Sequence, residues 1–125
     1  MIVLDANVLI AHFAIRDAHS ARALELLDTD EELSIHPITL AEVLTRPARD
    51  GRADLYRERI ATMGIEQLPV PTEQPLALAK LRASTSLRLP DCCVLAAAME
   101  TGATLATFDT ALAKVASDHG VTIAQ

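Results

Sequence analysis

The chain opens with a short apolar run that stops at an acid: Ile2-Val3-Leu4 ends at Asp5, and Asn7 follows two residues on. Branched aliphatic residues without polar alternation are the pattern of a strand buried on both faces. A helical pattern starts at once through Val8, Leu9 and Ile10. The same phrase recurs. Leu33 to His36, Ile65 to Val70, Ala103 to Thr107 and Val121 to Ile123 read as further strands, each separated from the last by helical sequence. Strands alternating with helices need crossover connections, so the expected class is α/β: a mainly parallel five-stranded sheet with helices on both faces. At 125 residues the chain suits one domain with a core of useful size.

The helical segments carry their own punctuation. Asp17 to Leu27 places Ala18, Ala21, Leu24 and Leu27 at helical spacing. Thr39-Leu-Ala-Glu42 has the S/T-x-x-E form of a capping box, which predicts a helix start there, with Pro47 ending or kinking it. Asp50-Gly51 marks a turn, and Leu55 to Met63 is a helix closed by Gly64. Another helix is expected from Pro71-Thr72 to about Ser84. Cys92 to Glu100, opened by Pro90-Asp91 and stopped by Gly102, is apolar nearly all round and should be the central buried helix. Asp109 to Ser117 is the last.

Composition removes several function classes. Aromatics are 2% of the chain, so base stacking is not expected as its main activity. A net charge of −6 argues against binding DNA through a broad basic face. It leaves a nuclease open, because a bound divalent cation reverses the local field. The only cysteines are the neighbours Cys92 and Cys93, which face different directions on a helix and read as small core fillers in a reducing compartment. No signal-peptide pattern and no uncharged run of membrane length is present, so a cytoplasmic protein without membrane contact is expected.

Four acids then stand out: Asp5, Glu42, Asp91 and Asp109. Each has an ordinary explanation. Asp5 and Asp109 suit helix caps, Glu42 the reciprocal half of the capping box, and Asp91 the favourable N-terminal end of a helix dipole. Their joint placement adds something. Asp5 and Asp109 end parallel strands, while Glu42 and Asp91 start helices, and in α/β units those ends share one edge of the sheet. Carboxylates crowded there raise one another's pKa values unless a cation intervenes. As hard oxygen donors they suit Mg²⁺ or Mn²⁺, and no His or Cys is placed to recommend zinc. Such a site activates water against phosphate esters, with one carboxylate orienting or deprotonating that water. Asn7 and Thr107 lie on the same edge and are candidates for positioning substrate, with a local turn role as the alternative.

Around these residues the sequence resembles the PIN-domain ribonucleases, and in particular the VapC toxins of VapBC toxin–antitoxin pairs. The resemblance rests on Ile2-Val-Leu-Asp5-Ala-Asn7-Val-Leu-Ile, Thr39-Leu-Ala-Glu42-Val-Leu, Leu89-Pro-Asp91 before an apolar helix, and Gly102-Ala-Thr-Leu-Ala-Thr107-Phe-Asp109. It implies one PIN domain over residues 1–125 with strand order 3-2-1-4-5, placing Asp5 beside Asp109 at the topological switch point. It implies Mg²⁺- or Mn²⁺-dependent endoribonuclease activity on transfer or ribosomal RNA. Asp5, Glu42, Asp91 and Asp109 would be catalytic, with Asp5, Asp91 and Asp109 as metal ligands. The partners implied are a second copy of the chain and a VapB-like antitoxin, often with an Arg or Lys reaching into the acidic pocket.

Arg46, Arg49 and Arg52 follow Glu42 and could grip RNA phosphates. A solvated face paired with Asp50, Asp54 and Glu58 is the alternative. The four histidines, His12, His19, His36 and His119, are scattered and suggest no role. A phosphatase of the haloacid-dehalogenase type needs a second Asp where Asn7 stands, and a receiver-type switch needs an Asp after the third strand, where Val70-Pro71 stands. A PIN nuclease of RNA processing outside a toxin pair, and a non-catalytic PIN scaffold, remain as alternatives.

Overall fold

Ile2–Leu4 forms strand β1, and its three side chains divide between two cores. Ile2 and Leu4 enter one hydrophobic cluster and Val3 the other, as the two-residue period of a strand requires. The computed structural model describes residues 1–124. Along the chain follow α1 (Ala6–Phe13), α2 (Ser20–Leu27), β2 (Leu33–Ile35), α3 (Pro37–Arg49), α4 (Ala53–Thr62), β3 (Ile65–Gln67), α5 (Gln74–Ser84), α6 (Leu89–Thr101), β4 (Thr104–Ala106) and α7 (Thr110–Asp118). All the strand pairs are parallel, in the order β3-β2-β1-β4. Helices α1 to α4 pack on one face through Val8, Leu9, Ala23, Leu26, Leu40, Val43 and Ile60. Helices α5 to α7 cover the other through Leu81, Val94, Leu95, Leu112 and Ala116.

The expected fifth strand is reduced to one bridge. Ile123 pairs with Leu105, supported by Leu105 N–H to Thr122 O and Ala124 N–H to Leu105 O, both 2.8 Å. The segment lies where a fifth strand belongs, beyond β4, so the anticipated order holds while the sheet has four strands. With only Val121 buried and Thr122 exposed, too little apolar surface is present to extend the ladder.

Three local expectations are corrected. The helix containing Glu42 starts at Pro37, not at a Thr39 cap. His36 is its N-cap, with Nδ1 accepting the Ile38 amide at 3.0 Å, and Pro37 takes the first turn where its missing N–H costs nothing. Thr39 is fully buried and its hydroxyl finds no partner, while Glu42 lies in the second turn. The same helix runs through Pro47 to Arg49. In α2 the buried face is Ala23 and Leu26, and Leu24 is exposed. Apolar residues occur on both sides of that short helix, and packing on α1 selects one of them. As expected, α6 is the central helix: seven consecutive residues, Cys92 to Ala98, are buried. It ends at Gly102 in the left-handed conformation, φ 69°, which only glycine adopts without strain. Both cysteines are free and buried. No helix among the described residues is long and apolar enough to cross a membrane.

Candidate functional site

Strand register builds the first half of the site. Ile2, Val3 and Leu4 pair with Thr104, Leu105 and Ala106, so Asp5 and Thr107 leave the sheet side by side at the point where the strand order reverses. The Asp5 amide donates to Ala106 O at 2.9 Å, extending the ladder by one bond. The Asp5 carboxylate is 6% exposed and caps α1: Oδ1 accepts the Ala6 amide at 2.7 Å, and Oδ2 accepts the Thr107 hydroxyl at 2.7 Å. The same hydroxyl oxygen accepts the Asp109 amide at 3.0 Å and an Asn7 Nδ2 proton at 3.4 Å. Asn7 Oδ1 in turn accepts the Phe108 amide at 3.1 Å. Asp109 caps α7 with Oδ1 alone, accepting Ala111 N–H at 2.9 Å and Leu112 N–H at 3.1 Å. Asp5, Asn7, Thr107 and Asp109 are thus one hydrogen-bonded unit.

The second half comes from two helices. Asp91 sits in the first turn of α6, half-buried, and Glu42 in α3, exposed, while α3 and α6 pack against each other. The two halves lie close enough for their charges to act on one another. Burial raises the Asp5 pKa, the Thr107 and Ala6 hydrogen bonds pull it back, and the charges of Asp91 and Asp109 raise it further. Glu42 is raised by partial desolvation and then by Asp5 and Asp91. Asp91 is raised by desolvation and then by Asp109. Asp5, Glu42 and Asp91 therefore each feel at least one other acid of the edge, and the Asp109 charge is among those acting on Asp5 and Asp91.

One cation opposes them. The Arg88 guanidinium lowers both Glu42 and Asp91, and its backbone amide also lowers Asp91. Arg88 is the N-cap residue of α6, three positions before Asp91. Its only sequence signal is that spacing ahead of Asp91. Among the described residues, none of the four acids is in an ion pair.

The donor set fits a hard divalent ion: four carboxylates, no competing thiolate or imidazole, and unpaired negative charge. Among the described residues, no three acid, His or Cys side chains stand close enough to enclose an ion directly. Mg²⁺ keeps several waters and takes only one or two carboxylates directly, so an open arrangement suits it. Cys93 touches this region electrostatically. Burial raises its thiol pKa, with Cys92 and Glu42 adding to the shift, and it is inert core.

The arginine segment leads away from the acids along α3. Arg46 and Arg52 line an open groove of about 260 Å³ between α1, α3 and α4, beside Phe13, Val43 and Tyr56. Arg49 is exposed on α3. Among the described residues, none of the three makes an ion pair with Asp50, Asp54 or Glu58.

Sequence inspection also missed a buried polar chain. His36 Nδ1 accepts a backbone proton, so its own proton is on Nε2, which donates to Gln74 Oε1 at 2.7 Å. Gln74 Nε2 then donates to the Glu100 carboxylate at 3.0 and 3.2 Å. This chain ties the start of α3, and with it Glu42, to α5 and α6. Only His36 carried a local signal, as the residue between a strand and a proline.

Comparison with known proteins accords with this fold. The family model described as "PIN domain" matches residues 2–118. No curated protein sequence matches the chain significantly. Among solved structures, it is similar to a toxin–antitoxin complex from Klebsiella pneumoniae, with 26% identity and TM-score 0.71 over 88% of each chain. It is similar in fold to VapC20, a sarcin–ricin-loop-cleaving toxin of Mycobacterium tuberculosis, with 15% identity and TM-score 0.78 over 92% of this chain and 95% of that one. VapBC2 of Rickettsia felis, bound to a fragment of its promoter DNA, gives 17% identity and TM-score 0.72 over 99% and 98% of the two chains.

Proposed function

The chain belongs to the PIN-domain family, and on that premise we propose that it is a Mg²⁺- or Mn²⁺-dependent endoribonuclease, the toxin of a toxin–antitoxin pair. The observation that carries the reading is the convergence of Asp5, Glu42, Asp91 and Asp109, opposed by Arg88 but with no ion pair among the described residues. That arrangement costs stability when the site is empty, and a cation that handles phosphate esters repays it.

Asp5, Asp91 and Asp109 would hold the ion, one or two of them directly and the remainder through its bound waters. Asp5 is fixed by Ala6 and Thr107, and each of its oxygens keeps a second lone pair. Asp109 uses only Oδ1 for its helix, which leaves Oδ2 for a ligand. When bound, such an ion polarises the scissile phosphate and makes water a competent nucleophile near neutral pH. Glu42 is the base: it is solvent-accessible, and its raised pKa improves its match to a proton taken from the attacking water. Thr107 and Asn7 set the orientation of Asp5 and Asp109, a task of the kind that outer hydrogen bonds perform around ligating groups. Arg46, Arg49 and Arg52, in no ion pair among the described residues, offer guanidinium groups to RNA phosphates beyond the cut.

The relatives supply the biological setting. They include toxin–antitoxin complexes and a toxin that cleaves the sarcin–ricin loop. For this chain we take ribosomal or transfer RNA as the substrate, a VapB-like antitoxin as inhibitor and a second copy of the chain as partner. The cytoplasm is the compartment where all three meet.

One experiment tests the chemistry: purified protein with total cellular RNA, in Mg²⁺ or Mn²⁺, in EDTA, and as Asp5→Asn. Cutting is expected only for the native chain with metal, and the variant should lose at least about a hundredfold. Cutting that survives both EDTA and Asp5→Asn refutes the metal mechanism. No cutting of any RNA favours a non-catalytic scaffold.

A further inference from the structure

The chain has two Phe, one Tyr and no Trp. One of these three rings, Phe108, stands between Thr107 and Asp109 with its amide held by Asn7. Phe108 is half-buried and packs on the core. On it lies the His19 imidazole, with ring centroids 4.5 Å apart and planes 18° from parallel. The other two aromatic rings do not make such a plate. Phe13 and Tyr56 meet edge to face at 5.1 Å, and His12 is edge-on to Phe13.

His19 is the N-cap residue of α2 but supplies no side-chain cap, so its ring is not committed to the helix. It is instead steadied by its surroundings. Its amide donates to Asp17 Oδ1 at 2.8 Å, and Nδ1 lies 3.6 Å from the same oxygen. The side chain is 57% exposed although Phe108 covers one face, so the opposite face is open to solvent. The result is a flat, oriented ring in a chain nearly without them, stacked on the residue that joins two members of the acid site.

Resting on the ribonuclease reading, we infer that the open face of His19 stacks an unpaired base next to the scissile phosphate, with Phe108 as its backing plate. The acids bind the phosphate ester; the imidazole holds the neighbouring base by its π-face. Stacking of this kind requires a base that is splayed out, so the substrate at this position is a loop or an end and not a paired helix. It also tolerates any base, which leaves sequence choice to other surfaces.

The test uses the cut site mapped by sequencing RNA ends after digestion of total RNA with the native chain. A short oligoribonucleotide carrying that site is made intact and with an abasic nucleotide on either side of the scissile phosphate. His19→Ala is expected to raise KM for the intact oligonucleotide about tenfold with kcat nearly unchanged. His19→Phe should restore it, and His19→Leu, which packs on Phe108 without a π-face, should not. One abasic substitution should cost the native chain a similar factor and cost His19→Ala nothing further. Equal KM for native and His19→Ala, or full rescue by His19→Leu, overturns the stacking inference while cleavage itself stands. If the native chain yields no cut site at all, the ribonuclease reading fails and this inference fails with it.

Discussion

The two halves of the acid edge are built differently. Asp5 sits at the end of β1 and Asp109 caps α7 three residues beyond β4, each with at least one carboxylate oxygen committed to backbone amides, and Thr107 and Asn7 bind them into one unit. Glu42 and Asp91 project from the faces of α3 and α6, Glu42 exposed and Asp91 half-buried, and owe their position to helix packing. The first half is set by a few residues of local sequence and the register of two strands. The second is set by how two helices dock. One half is therefore preorganised to receive an ion, and the other can adjust around whatever arrives.

Glu42→Gln gives the largest expected effect and separates the halves most sharply. In RNA cleavage it should lower kcat about a hundredfold or more, because the proton acceptor is gone. Its effect on unfolding free energy should stay within about 0.5 kcal/mol, because the side chain is exposed and bonds nothing in its helix. A large stability loss would show that the open half is as rigid as the other.

Thr107→Val acts on the fixed half and should do the reverse. One hydroxyl oxygen serves Asp5, Asp109 and Asn7, so its loss strands several polar groups. Denaturant unfolding should report a loss of about 1–3 kcal/mol, and calorimetry should report Mn²⁺ binding weaker by about 10–100-fold. Unchanged metal affinity would mean that the hydroxyl serves folding alone.

The smallest effect is on pH dependence without metal. Asp5, Glu42 and Asp91 all have folded-state pKa values raised above their ordinary ones. The native state then holds protons that the unfolded chain has released. The stability tied to those protons is full below the unfolded values and is lost as pH rises through the folded ones. In EDTA the urea midpoint should therefore fall as pH rises from about 4 to about 7. Asp5→Asn should flatten that slope, since Asp5 is the most buried of the three. Mn²⁺ should restore the midpoint at the upper end of the range and do little at the lower. An unchanged slope in Asp5→Asn would place the titration elsewhere.

The same division explains what the sequence revealed. Asp5 and Asp109 were legible because an apolar strand stopping at an acid is a local signal, and parallel topology then puts such stops on one edge. Glu42 was singled out for the wrong local reason. The Thr39 capping box does not exist, and His36 with Pro37 starts that helix a turn earlier. The acid still reaches the site because α3 leaves the same edge of the sheet. The interior of α6 was legible from its unbroken apolar sequence, whereas the buried face of α2 was not, since both of its sides offered aliphatic residues. The fifth strand is reduced to a bridge because three residues with the right composition do not make a ladder without surface to bury. His36–Gln74–Glu100 and His19–Phe108 join residues far apart in sequence, so only the folded chain brings them into view.

Seven consecutive buried residues in α6 have a consequence for heredity. Most helices keep a solvent side where substitutions drift freely. From Cys92 to Ala98 this one has none, and Asp91 hangs from its first turn. Larger residues at Ala96, Ala97 or Ala98 would overpack the space against the sheet and helices around them, and the displacement would pass along the helix to the acid. In a selection for inactive variants, the vulnerable target is therefore not only four codons for acids but also a continuous stretch of the gene, most of it encoding residues with no chemistry of their own.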